Sequence, residues 1–200
     1  MDSHAHLPRR RRLQFETLER LAWAGEFRDD VTGNHTIRVG ATTAALAAQL
    51  GFSTKKLDWL SQAARLHDIG KIGIPDEILL KPARLTPTEF DFMKTHTTIG
   101  ATLLRGGKSD LLQIAENIAL NHHERWDGTG YPNNLCEEKI PMEARLVAVA
   151  DVFDALTHER PYKSAWSVSN SVAEIASQSG KQFDPQVIDA FLQLAHDKLI

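Results

Sequence analysis

Apolar residues recur at steps of three and four along nearly the whole chain beyond residue 13. That period belongs to amphipathic helices, and few segments show the period of two that a half-buried strand requires. Over residues 13–27, Leu18, Leu21, Ala22 and Trp23 give a helix with one apolar side. Asp30 or Thr32 can cap a second helix, whose stripe is Ile37, Ala41, Ala44, Ala45 and Ala48 and which Gly51 ends. A third opens at Ser53 or Thr54 and carries Leu57, Leu60, Ala64 and His67 in register. Gly70, Gly73 and Pro75 then break the chain, and a short turn follows over 76–80. Thr86 as cap and Pro87 as first residue open a longer helix running to about Arg105. Ser109 caps a helix through His122. Residues 124–141 hold Gly128, Gly130, Pro132, Asn133, Asn134 and Pro141 and read as a long ordered loop. Helices over 141–157, 168–177 and 185–199 complete the chain. The pattern predicts an all-α bundle.

The 200 residues suffice for one sizeable core. With 42% hydrophobic and 24% charged residues, composition excludes a disordered or fibrous chain. No apolar run reaches the ~18 residues that span a bilayer, and the net charge of −3 argues against a surface built for nucleic acid or membrane. Neither a nucleic acid polymer nor a membrane is therefore expected as a partner. Residues 1–12 lack the apolar core of a secretory signal, and the run Arg9-Arg10-Arg11-Arg12 reads as a solvated tail. The single cysteine, Cys136, excludes an internal disulfide and a thiolate-rich metal site and fits a reducing, cytoplasmic setting.

The nine histidines are unusual in a chain with two tyrosines and one cysteine. His67 falls on the stripe of Leu57, Leu60 and Ala64. His96 follows Phe92 and precedes Ile99 and Leu103. His122 follows Ile114 and Ile118, with His123 adjacent, and His35 opens the second helix. Asp68 directly follows His67, and Asp151 shares a face with Val147, Ala148 and Ala155. Five imidazoles and two carboxylates thus point into one bundle. Buried carboxylates must be neutralised, paired or bound to a cation. Mixed imidazole and carboxylate donors suit Fe, Mn, Zn or Co, and seven candidates are too many for one tetrahedral ion. They suit two ions sharing a carboxylate, an arrangement that can clamp a phosphodiester. His4, His6, His158 and His196 read as exposed.

The segment His67-Asp68-Ile69-Gly70-Lys71 resembles the HD motif of HD-GYP domains, and His122-His123-Glu124-Arg125-Trp126-Asp127-Gly128-Thr129-Gly130-Tyr131-Pro132 resembles their HHExWDGxGYP signature. Thr32-Gly33-Asn34-His35, His96-Thr97-Thr98-Ile99-Gly100, Val149-Ala150-Asp151-Val152-Phe153-Asp154-Ala155-Leu156 and Arg160-Pro161-Tyr162-Lys163 match further motifs in family order. An isolated His-Asp pair is weakly specific, but the ordered set is not.

The resemblance implies an HD-domain helical fold and a metal-dependent phosphodiesterase acting on cyclic di-GMP. It implies His35, His67, Asp68, His96, His122, His123 and Asp151 as ligands, with Asp68 bridging. It implies iron or manganese first, with zinc, nickel or cobalt as alternatives. Lys71 would hold a scissile phosphate oxygen, Arg160 and Lys163 would grip substrate phosphate, and Tyr131 would line the substrate pocket. Three-metal relatives carry a Glu directly before Thr-Gly-x-His; here that place is Val31, so two divalent ions are expected, with pGpG the main product and slower conversion to GMP. Relatives also tend towards Gly-Leu-x-Gly where this chain has Asn134-Leu135-Cys136-Glu137. The expected organisation is a tail over 1–12, a linker helix over 13–30 and a catalytic domain over 31–200. The linker helix points to an upstream receiver or sensor domain, and the resemblance raises a homodimer and contact between the GYP loop and a diguanylate cyclase (GGDEF) domain. Competing readings are a non-catalytic cyclic di-GMP receptor, a partner-binding module, and another HD-superfamily nucleotide phosphohydrolase.

Overall fold

The computed structural model describes residues 9–28, 34–159 and 164–200, with side chains from residue 16 and excepting that of residue 26. Among them the chain is helical, with a single isolated bridge between Ser179 and Phe183. The helices are α1 (Arg9–Glu26), α2 (Asn34–Gln49), α3 (Thr54–Ala64), α4 (Asp76–Leu79), α5 (Pro87–Lys94), α6 (His96–Leu104), α7 (Asp110–Asn121), α8 (Met142–Thr157), α9 (Val168–Ser177) and α10 (Pro185–Leu192). None is long and apolar enough to cross a membrane.

The bundle is built on α2, α3, α7 and α8, which pack on one another, with α10 closing against α2 and α8. Val39 and Leu46, Leu60, Ile118, Leu146 and Phe153, and Val187 and Phe191 fill its centre. Alanines at 63, 64, 115, 119, 144 and 150 are buried too, and such small side chains let helix backbones approach closely. Helix starts follow local chemistry. Thr86 accepts from the Glu89 N–H while Glu89 accepts from the Thr86 N–H, a reciprocal box with Pro87 at the first turn. Ser109 and Asp184 cap α7 and α10 through side-chain oxygens.

Several expectations need correction. The second helix buries Val39, Gly40, Thr42, Thr43, Leu46 and Ala47 instead of the stripe read from spacing: Ile37, Ala41 and Ala48 are exposed, and Ala44 and Ala45 are half-buried. The third helix ends at Ala64, so His67 lies in the turn after it, although still fully buried. The helix expected over 86–105 is two, divided at Thr95. There Thr95, Thr97 and Thr98 hydroxyls each donate to the carbonyl three residues back, and His96 Nδ1 bonds the Met93 carbonyl; such side-chain bonds compete with the helical ladder. Phe92 and Leu103 are exposed, so His96 faces inward with Thr97, Gly100 and Ala101 rather than with the apolar stripe read from spacing. The last helix stops at Leu192, and a 3-10 turn, His196–Lys198, follows.

A second 3-10 turn, Ile69–Gly73, carries the chain from the His67-Asp68 pair past the division at Thr95. Gly70 is required there, because a Cβ would meet the His96 carbonyl oxygen at 1.8 Å and the Gly100 nitrogen at 2.5 Å. The two backbones touch, which brings Asp68 and His96 together. Helix α1 begins at Arg9, within the stretch read as tail, and docks on this turn. Arg28 reinforces the docking by donating to the carbonyls of Lys71 at 3.1 Å and Ile74 at 2.6 Å.

Candidate metal centre

The seven candidate ligands converge in two groups. Asp68, His96, His122 and His123 form one, and His35, His67 and Asp151 the other; within each, one ligand atom per residue lies within 4.8 Å of the others. Asp68 stands between them. Its Oδ1 is 3.2 Å from His96 Nε2 and 3.5 Å from His122 Nε2, and its Oδ2 is 3.4 Å from His67 Nε2. Asp151 Oδ1 is 3.5 Å from His35 Nε2 and 3.9 Å from His67 Nε2. His35, His67, His96 and His122 are buried; His123 and Asp151 are half-buried, which corrects the expectation of five buried imidazoles.

Each fully buried ring is oriented from behind. His67 Nδ1 bonds the Ala64 carbonyl at 2.9 Å, His96 Nδ1 that of Met93 at 2.8 Å, and His122 Nδ1 that of Ile118 at 3.0 Å. His35 Nδ1 is 2.6 Å from Asp154 Oδ2. A carbonyl behind Nδ1 keeps the proton there and leaves the Nε2 lone pair facing inward, the arrangement found behind metal-bound histidines. Arg38 in turn grips both Asp154 oxygens, and His158, half-buried rather than exposed, approaches the same carboxylate at 3.3 Å.

The donor set fits divalent cations. His67 Nε2 and Asp68 Oδ1 are buried with no hydrogen-bond partner, a costly state in a protein interior that a cation relieves. Burial pushes the His67 imidazole down to about 4 and His123 also down, so both offer neutral nitrogen at pH 7. Burial works to raise the Asp68 carboxyl, but Lys71 and the neighbouring imidazoles hold it well below the carboxylate range. Lys71 Nζ is 2.8 Å from Asp68 Oδ2.

The loop over 124–141 walls one side. Glu124, almost fully buried, accepts from the Asn133 N–H at 2.7 Å and the Leu135 N–H at 3.0 Å. Gly130 packs so tightly beneath His123 that a Cβ would meet the Arg125 nitrogen at 2.4 Å and the His123 carbonyl oxygen at 2.6 Å. Tyr131 consequently lies against the His123 ring. Trp126 and Asp127 N–H groups donate to the Gln182 and Lys181 carbonyls, which ties the start of the loop to the segment between α9 and α10.

Sequence reasoning gave Asp154, Arg38 and Glu124 no role. The available signal was spacing: Arg38 lies three residues after His35, and Asp154 three after Asp151, each on the face of a candidate ligand. His196, read as exposed, instead packs on the Phe191 and Phe153 rings. Arg160, Lys163 and Val31, with Asp30, Thr32, His4 and His6, lie outside the described residues.

Comparison with known proteins gives a consistent picture. A family model described as "HD domain" matches residues 24–187. A Thermotoga maritima protein named cyclic di-GMP phosphodiesterase is 51% identical over 180 residues, covering 90% of this chain and 49% of that one. The cyclic di-GMP phosphodiesterase response regulator RpfG of Xanthomonas campestris pv. campestris is 49% identical, covering 89% and 47%. A solved V. cholerae phosphodiesterase described as cyclic GMP-AMP specific superposes with a TM-score of 0.66 at 22% identity, over 92% of this chain and 49% of that one, a likeness of fold. The chain therefore spans about half the length of the curated relatives it matches.

Proposed function

This chain belongs to the HD domain family, and from that premise we propose that it is a metal-dependent phosphodiesterase hydrolysing cyclic di-GMP, with linear pGpG as main product and slower conversion to GMP. The observation that carries the reading is the pair of ligand groups meeting at Asp68, with His67 Nε2 and Asp68 Oδ1 buried and unpartnered. The names of relatives near 50% identity support the substrate.

His35, His67 and Asp151 would hold one ion and His96, His122 and His123 a second, with Asp68 shared; iron or manganese is preferred over zinc, nickel or cobalt. Val31, where a third ion would need a carboxylate, argues for two. Bound there, divalent ions supply charge neutralisation at phosphoryl oxygens and an activated water. The chain's own residues do the rest. Carbonyls and Asp154 hold the imidazoles in one tautomer. Lys71, beside Asp68, presents an ammonium to a phosphate oxygen. Tyr131 lines the pocket, and Arg160 and Lys163 grip substrate phosphate, the Arg as a planar fork and the Lys as a point charge.

The same reading makes residues 31–200 the catalytic domain and 13–30 a linker from an upstream receiver or sensor domain. It includes a cytoplasmic setting, a homodimer, and a GGDEF-domain contact through the GYP loop. The test is anaerobic purification, metal analysis and chromatography of products from cyclic di-GMP with time. Asp68→Ala should lower turnover by at least about 10²-fold and cost bound metal. Binding of cyclic di-GMP without turnover in the fully metal-loaded protein would make it a receptor instead, and full metal content with normal rate in Asp68→Ala would sink the scheme.

A further inference from the structure

Beside the ligands stands an aromatic rim that ion binding does not explain. The Tyr131 ring stacks on His123 with centroids 4.8 Å apart and planes at 26°. Phe90, on α5, meets Tyr131 edge-on at 6.5 Å and 80°. Lys94, one turn further along α5, holds Nζ 5.3 Å from the Phe90 centroid and 5.8 Å from that of Tyr131. A row of rings thus runs outward from a candidate ligand, and its outermost member, Phe90, is 48% exposed. Lys94 also pairs with Asp91 Oδ1 at 2.6 Å, but an exposed ion pair is weak and leaves the ammonium available.

We propose that Phe90 and Lys94, with Tyr131, form a stacking subsite for one purine base of a cyclic dinucleotide, a proposal that rests on the phosphodiesterase reading. A cyclic dinucleotide carries two phosphates and two bases. With one phosphate at the ligand groups, the other nucleotide would have to be held beyond them. The rim offers what that half needs: a flat apolar face for the base and a cation for the remaining phosphate. Every base has a π-face, so stacking adds affinity without distinguishing guanine from adenine.

The test compares steady-state kinetics of the metal-loaded wild-type protein and variants on cyclic di-GMP, on 3′,3′-cyclic GMP-AMP and on the base-free diester bis(p-nitrophenyl) phosphate. Phe90→Ala should raise KM for both cyclic dinucleotides by about tenfold, with the loss in KM rather than kcat. The ratio of kcat/KM for cyclic di-GMP to that for the base-free diester should fall by about the same factor, and Phe90→Trp should restore it. Lys94→Gln should flatten the dependence of KM on salt. An unchanged KM in Phe90→Ala, or an equal loss on the base-free diester, overturns the subsite while wild-type turnover of cyclic di-GMP keeps the broader reading intact. Wild-type protein that cleaves the base-free diester but no cyclic dinucleotide overturns both.

Discussion

Asp154 Oδ2 lies 2.6 Å from His35 Nδ1, so His35 is backed by a carboxylate, whereas His67, His96 and His122 are backed by neutral carbonyls. Burial works against the Asp154 charge, but His35 and Arg38 hold its pKa at about 2, so it is ionised at neutral pH. A carboxylate behind an imidazole strengthens it as a donor. The two ligand groups are thus unequal despite their similar composition. Asp154→Asn should weaken one bound ion by roughly 10–100-fold and leave the other in place. Competition with a chromophoric chelator measures this, and two ions of unchanged affinity in the variant would refute it.

Removing metal should destabilise the protein. An ion at a thousandfold its dissociation constant adds about 4 kcal/mol per site, which for a chain of this length is roughly 8–16 °C in Tm. Thermal unfolding with and without a chelator checks this; coincident curves would mean that the Asp68 cluster tolerates its unpartnered atoms without a cation.

The loop departure at Asn134-Leu135-Cys136-Glu137 has a conformational meaning. Asn134 and Glu137 both have positive φ, +53° and +52°, and they stand at the two glycine places of the Gly-Leu-x-Gly pattern that the resemblance to HD-GYP domains implies. The left-handed region strains residues with a Cβ, Glu more than Asn. Asn134 also recovers a hydrogen bond, its Nδ2 donating to the Gly130 carbonyl at 2.6 Å. Glu137→Gly should therefore stabilise the fold by about 0.5–1 kcal/mol, and Asn134→Gly should not. Denaturant unfolding of the two variants decides; equal effects would contradict the assignment.

Acid should loosen the start of α5. The hydrogen bond from Lys81 and that from the Thr86 N–H hold the Glu89 carboxyl at about 2, below its ordinary 4.5. A depressed carboxyl stabilises the folded state above its unfolded pKa, and that contribution is lost as pH falls from about 4.5 through about 2. Glu89→Gln should flatten the acid limb of a stability profile over that window; identical limbs would exclude Glu89 as a contributor.

Much of this was legible in the chain. Thr86-Pro87, Ser109 and Gly51 mark ends that local chemistry alone determines, and the structure has ends there. Periodicity also gave the order of the helices. It misplaced His67 and His96 because it assumed each lay within an unbroken helix. His67 is buried by the turn after α3, and His96 by the close approach of Gly70, a contact between residues far apart in sequence. Arg38 and Asp154 were half legible: spacing puts each on the face of a candidate ligand, but that both meet at one carboxylate between α2 and α8 follows only from the packing of the helices.

His122, His123 and Glu124 are consecutive. The first two face the cluster around Asp68, and the third ties down the loop through Asn133 and Leu135. No flexible joint separates the two tasks. The loop is therefore a built-in gauge: a probe placed at exposed Asn133 should register the filling of a cluster it never touches.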